Sequence, residues 1–201
     1  MRQLTGWANA AMLAVAVAAL GVLTAAFLPL VEVWAVHRVA RTGGGQPHLV
    51  VVLAQVAMAG GVALAHLVAG VCVLVWTGRA CRNLGLPRGV AVALWPVAAP
   101  FVLGRLGAGR WLAATWWMAW LAGAAAGAAG LLLGPASRDV DAALADGRAV
   151  DGAGGVLAAQ VAARLPGAAL YLGAAVLFLV LVHRITVAQP PSPPRSATIG
   201  A

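Results

Sequence analysis

The sequence predicts an all-α membrane protein, with four transmembrane helices plus a proline-broken re-entrant or in-plane segment. Five spans is the alternative. Three observations lead there. The chain has 201 residues, of which 63% are hydrophobic and 9% charged, whereas a soluble domain carries roughly 25% charged residues. The apolar residues come in continuous blocks, and a hydrocarbon layer about 30 Å thick needs around 20 such residues in a helix. Lipid forces the backbone to satisfy itself within a helix or a closed barrel, and barrel strands would alternate where these blocks do not. Finally, all 13 basic residues are arginines, and they flank the blocks as topology signals do. They do not gather on a polar face, so the net charge of +8 is not read as a nucleic-acid footprint. The Ala/Gly/Val/Arg-rich, lysine-free composition is of a bacterial, high-GC kind.

Residues 1–188 form the helical membrane domain, with spans at about 7–36, 48–76, 111–134 and 165–184. The first block starts like a signal peptide, but its apolar run is about twice the 7–15 residues of an h-region. It is expected to stay as an uncleaved span. Glu32 lies near its far end beside His37 and Arg38, where an interfacial carboxylate reaches water or cations more readily than it serves a buried function. The linker that follows carries Gly43-Gly44-Gly45, which is turn chemistry.

In the second block Ala57, Gly61, Ala65 and Ala69 recur every four residues. Small side chains on one stripe let another helix approach closely. Gln55 and His66 are its polar residues, three turns apart on roughly one face. They are expected to hydrogen-bond neighbouring helices. Cys72 and Cys81 are separated by roughly 13 Å of helix, too far for a bridge, so two free thiols are expected.

The block ends in a basic turn containing Arg79, Arg82 and Arg88, where Leu84-Gly85-Leu86-Pro87 would stop a helix. An apolar run, 89–106, follows with Pro96 and Pro100 inside. It is short for a span and suits a re-entrant hairpin. Trp111, Trp116, Trp117 and Trp120 load the start of the third span. They are expected to form an interfacial belt that also packs, in preference to an aromatic substrate cage. Gly123 with Gly127, and Gly130 with Gly134, give two further close-packing pairs.

The outer polar loop, 135–164, holds Asp139, Asp141, Asp146 and Asp151. Asp139-x-Asp141 lacks the further oxygens, glycine and closing glutamate of a calcium loop. Pro166 suits the first turn of the final helix. The Pro/Ser-rich tail, 189–201, is expected to be extended and disordered.

With four spans, the N-terminus, residues 77–110 and the tail share the cytoplasmic side. They hold Arg2, Arg79, Arg82, Arg88, Arg105, Arg110, Arg184 and Arg195, against Arg38, Arg41, Arg138, Arg148 and Arg164 outside. The positive-inside rule favours this arrangement, with both termini cytoplasmic. If residues 89–106 spanned instead, the arginines would divide almost evenly.

Trp76, Arg79, Ala80, Arg82 and Asn83, then Leu84-Gly85, form a W-x-x-R-A-x-R-N motif ending a helix. Gly89, Ala91, Val92 and Trp95 follow, and Trp116, Trp117 and Trp120 give WW-x-x-W on the next helix. In these features the chain resembles an uncharacterised, mainly actinobacterial multi-pass membrane family, catalogued as domain of unknown function 4328, over about residues 50–185. It departs from that family in its Pro-Phe pair, which falls late as Pro100-Phe101, and in lacking the Asn that follows the pair. The resemblance implies a topology and no activity.

The expected function is that of a non-enzymatic helix-packing, scaffolding or regulatory component of the cell membrane; a small transporter or channel subunit is the alternative. No nucleophile with a base, HExxH or paired carboxylate sits in a membrane segment, so no enzyme, cofactor or metal site is expected. Arg79, Arg82, Asn83 and Trp95 are the candidate cytoplasmic motif. Ala57, Gly61, Ala65, Ala69, Gly123 and Gly127 are the candidate packing positions. The expected partners are the lipid bilayer, with anionic head groups at the arginines, and a homo- or hetero-oligomeric neighbour; nucleic acid is not expected.

Overall fold

Long runs of alanine, leucine and valine, with few breakers, favour helix over most of the chain. The computed structural model describes residues 2–42, 46–86, 97, 99–133 and 149–188. All regular structure among them is helical. The elements are α1 (Arg2–Thr42), α2 (Gln46–Asn83), α3 (Ala99–Leu103), a π-helical turn (Gly104–Ala108), α4 (Arg110–Leu133) and α5 (Ala149–Ala188).

The end of α2 follows from its sequence. Gly85 takes φ +68°, a conformation glycine adopts without a Cβ penalty. Leu86 N–H donates to the Cys81 carbonyl at 2.9 Å, and Gly85 N–H to the Arg82 carbonyl at 3.2 Å. This paired closure caps the last carbonyls of the helix. Leu86 packs back onto the core, as the residue after such a glycine commonly does.

Two more glycines turn the chain into α4. Gly107 has φ +101° inside the π-helical turn, and Gly109 has φ +83° just before Arg110. The Ala113 N–H then donates to the Gly109 carbonyl at 3.2 Å, starting the α4 ladder.

Helix α1 packs on α2 and α5, α4 packs on α5, and α3 with the π-helical turn lies against α4. The α1–α2 and α4–α5 pairings are antiparallel. Trp7 meets Arg79, and Gly21 meets Val62, so numbers rise along α1 as they fall along α2. Gly123 meets Tyr171, Gly127 meets Gly167 and Gly130 meets Ala163, which sets α4 against α5 the same way.

The main core lies at one end of this bundle. Leu4 and Ala8 of α1, Trp76 and Ala80 of α2, Leu103 of α3, Leu106 of the turn, Ala113 of α4 and Leu181 and Ile185 of α5 form one buried cluster. The π-helical turn reaches the same place, with Gly107 against the Ala188 side chain. A second, small cluster lies elsewhere, where Leu157 is covered by Val33 and Val156.

Among the described residues, three helices are long and apolar enough to cross a membrane, over Leu4–Trp34, Leu53–Asn83 and Gly154–Ala188. Their outward faces are apolar too. Leu13, Leu53, Val56, Leu64 and Leu67 are exposed, and a water-facing monomer rarely presents so extended an apolar surface. These are helices of a membrane-embedded protein.

Several boundaries differ from the sequence expectation. Helix α5 begins at Ala149, far ahead of Leu165, so residues 149–164 are helical and not loop. Alanines 153, 158, 159, 162 and 163 carry high helix propensity there. Pro166 lies inside the helix on its exposed side; a proline there removes one N–H from the ladder and does not end this helix. The first two helices also extend beyond their apolar blocks, to Thr42 and Asn83. Trp95 and Pro96, residues 134–148 with Asp139, Asp141 and Asp146, and the tail 189–201 lie outside the described residues.

An aromatic cleft between four helices

Midway along α2, His66 stands on the face turned toward α5. Its Nδ1 donates to the Val62 carbonyl one turn back, at 2.7 Å. A backbone carbonyl only accepts, so that nitrogen carries the proton and Nε2 is left for other contacts. The imidazole lies 5.4 Å from the Tyr171 ring, tilted by 48°. Tyr171 is the single tyrosine of the chain. Its hydroxyl is hydrogen-bonded by Trp120 of α4, and an indole can only donate.

One to two turns nearer the core end, Trp116 meets Phe178 at 5.4 Å between ring centres. Phe178 in turn meets Trp76 edge-on, at 6.2 Å and 79°, a favoured geometry for ring quadrupoles. The rings of His66, Trp116, Trp120, Tyr171 and Phe178 line a half-open cleft of about 190 Å³, completed by Val15 of α1, by Ala69, Gly70 and Val73 of α2, and by Ala174 and Ala175 of α5. Thus α1, α2, α4 and α5 all contribute to its wall.

The tryptophans of α4 therefore divide. Trp116 and Trp120, four residues apart and so on one helical face, line the cleft. Trp117 packs against the core. Trp111 is exposed, with the Arg110 guanidinium carbon 5.4 Å from its ring. Trp111 faces outward, and the other three face protein. The signal for the cleft was present in the Trp116–Trp120 spacing, but its partners, Tyr171 and Phe178, lie far along the chain.

The small-residue positions are also placed. Gly123 faces α5, where a Cβ would stand 3.0 Å from the Tyr171 nitrogen; Gly127 meets α5 through its backbone, since a Cβ on Gly167 would stand 2.6 Å from the Gly127 nitrogen while one on Gly127 itself would meet nothing within 4 Å. On α2, Ala69 is buried at the cleft and Ala65 is half-buried, whereas Ala57 and Gly61 are exposed. Nothing lies within 4 Å of where a Gly61 Cβ would be.

Of the cytoplasmic motif, Arg79 is half-buried over Trp7, its guanidinium carbon 5.1 Å from the ring centre. Arg82 and Asn83 are exposed at the end of α2, and Trp95 lies outside the described residues. Arg105 stands over Phe101 at 4.6 Å. The arginine–aromatic pairs of Arg79, Arg105 and Arg110 thus gather at the core end of the bundle, and that of Arg38 with Trp34 lies near the far end of α1. The Trp76 indole N–H and the Thr77 hydroxyl are buried, with no hydrogen-bond partner among the described residues. Gln55 is half-buried and sits about 16 Å along the helix from His66. Cys72 and Cys81 are free thiols, the second buried.

No family model, curated protein or solved structure matches this chain.

Proposed function

We propose that the chain is a four-span protein of the cell membrane, with both termini cytoplasmic, acting without catalysis as a helix-packing component that scaffolds or regulates other membrane proteins. The observation that carries this reading is the core end of the bundle. It gathers the start of α1, the end of α2, the start of α4 and the end of α5. Arg79, Arg82, Arg110 and Arg184 belong to these segments and Arg105 to the π-helical turn beside them, as a cytoplasmic end requires. The end of α2 and the start of α4 lie at the same end of the bundle, which supports four spans over five. Helix α4 has 24 residues, rising about 36 Å, enough for a fourth span. The resemblance at Trp76–Phe101 agrees with this topology.

The scaffolding role rests on the outward face of α2. Ala57 and Gly61 leave a smooth stripe there, on which a helix of another chain can approach closely. The small transporter or channel reading has the cleft and His66 in its favour, but the described spans bring no cluster of ionisable groups to it.

Single cysteines at Arg41, Arg82 and Arg110, in a Cys72→Ala/Cys81→Ala background, test the topology. An impermeant maleimide is expected to label Arg41→Cys from outside, and Arg82→Cys and Arg110→Cys only after permeabilisation. Opposite sides for Arg82→Cys and Arg110→Cys would restore the five-span alternative. Cross-linking through Gly61→Cys in native membranes tests assembly; recovery of monomer alone would remove the scaffolding role. Solute flux in reconstituted vesicles would favour the transporter.

A further inference from the structure

We infer that the aromatic cleft is a binding site for a membrane-dissolved ligand carrying a hydroxylated aromatic ring, a phenol-like head on an apolar body. The inference rests on the membrane-embedded reading and not on the scaffolding role. Its depth is the first argument. His66 lies near the middle of the Leu53–Asn83 span and Tyr171 at the middle of Gly154–Ala188. A ligand reaching them comes from the hydrocarbon layer, and so is largely apolar.

The polar groups give the second argument. The His66 Nδ1–H is used by the Val62 carbonyl, so Nε2 is the ring nitrogen left to meet a ligand, as an acceptor in the neutral ring. The Tyr171 oxygen already receives the Trp120 indole hydrogen, which leaves its own O–H to donate. One acceptor and one donor stand on adjacent rings, 5.4 Å apart between centres. A single hydroxyl can satisfy both, donating to the imidazole and accepting from the tyrosine. A carboxylate or ammonium would meet no opposite charge among the lining residues, and burying an unpaired charge is expensive.

The walls give the third. Trp116, Trp120 and Phe178 offer flat faces and edges, the arrangement that packs best on another ring. The about 190 Å³ volume is of the scale of an engineered cavity that binds benzene. The half-open side lets an alkyl chain trail into the bilayer.

The test is scintillation-proximity binding of tritiated para-octylphenol to the purified full-length protein, with unlabelled para-octylphenol, para-octylanisole and octylbenzene as competitors. Saturable binding is expected, with the anisole and the hydrocarbon competing about tenfold more weakly, since each lacks the hydroxyl hydrogen that a buried acceptor needs. Tyr171→Phe and His66→Leu are each expected to weaken binding about tenfold for the same reason. Gly70→Leu is the variant that spares both polar groups. Nothing stands within 4 Å of a Cβ at Gly70, so the leucine can enter the cleft without striking backbone, and binding should be lost while the thermal transition is kept.

Equal competition by octylbenzene would overturn the inference and make the cleft a seat for an acyl chain. Non-saturable uptake, or unchanged affinity in Gly70→Leu, would overturn it as well. Resistance of the protein to carbonate extraction from membranes separates the two failures: a chain that is extracted has lost the membrane reading, and one that resists but does not bind has lost only the cleft.

Discussion

The Arg79 guanidinium stands over the Trp7 ring, its central carbon 5.1 Å from the ring centre, and so ties the end of α2 to the start of α1. A guanidinium is weakly hydrated and stacks on an indole face. Here it is half-buried, beside the cluster that contains Leu4, Ala8 and Trp76. Replacing either partner should loosen the core end. A double-mutant cycle of Trp7→Leu and Arg79→Met, followed by unfolding in mixed detergent, is expected to give a coupling of about 1 kcal/mol. A coupling near zero would make the two residues neighbours without an interaction.

The α4–α5 contact depends on glycine at defined points. A Cβ on Gly167 would stand 2.6 Å from the Gly127 nitrogen and 2.7 Å from its Cα, distances at which one backbone must move. Gly167→Val is therefore expected to destabilise the protein by about 2 kcal/mol through overpacking. Gly61→Val, where the side chain would meet open space, should leave the thermal midpoint nearly unchanged in detergent. Equal effects of the two would mean that α4 and α5 are not held at this distance.

Much of the helical architecture is legible because a membrane span is a local property of composition. The apolar blocks, the stop at Gly85 and the arginine flanks each lie within a few residues of what they control. Which face of a span meets protein is not local. Gly123–Gly127 and Ala57–Gly61 are equivalent four-residue spacings in the sequence, yet a Cβ on Gly123 would stand 3.0 Å from the Tyr171 nitrogen and one on Gly61 would meet nothing within 4 Å. In lipid every face of a span is apolar, so no polar stripe marks the outside. The cleft was half legible: Trp116 and Trp120 share a helical face, and His66 stands out in an apolar block. Tyr171 and Phe178 reach them only through the antiparallel packing of α4 on α5. The start of α5 is hidden by its polar residues, where alanine content decides for helix.

Gly85 should resist substitution more than its exposure suggests. Its φ of +68° places any Cβ against the neighbouring carbonyl, which costs about 1 kcal/mol for a non-glycine residue. Gly85→Ala is expected to lower stability by about that amount and to fray the last turn of α2. Faster hydrogen exchange at the amides of Leu84, Gly85 and Leu86, with the middle of α2 unaffected, is the signature to look for. Unchanged exchange would mean that the cap does not hold the helix end.

Trp76 carries the largest local packing load. It is fully buried, meets Phe178 edge-on at 6.2 Å, and belongs to the same cluster as Leu103, Leu106, Leu181 and Ile185. Lipid tails are as apolar as the residues around it, so transfer from water does not reward its burial as in a soluble core; contact and shape do. Trp76→Ala would still leave a cavity that this crowded end cannot readily close, at a cost of about 3 kcal/mol. Trp76→Phe, which keeps a ring but drops a buried indole N–H with no partner among the described residues, should cost much less, because no hydrogen bond to those residues is lost with it. Thermal unfolding in detergent of both variants, alongside the outward-facing Leu13→Ala, orders the three. The expected order of loss is Trp76→Ala, then Trp76→Phe, then Leu13→Ala. A Trp76→Phe loss as large as that of Trp76→Ala would show that the indole N–H is bonded after all, within the core end that gathers the four long helices.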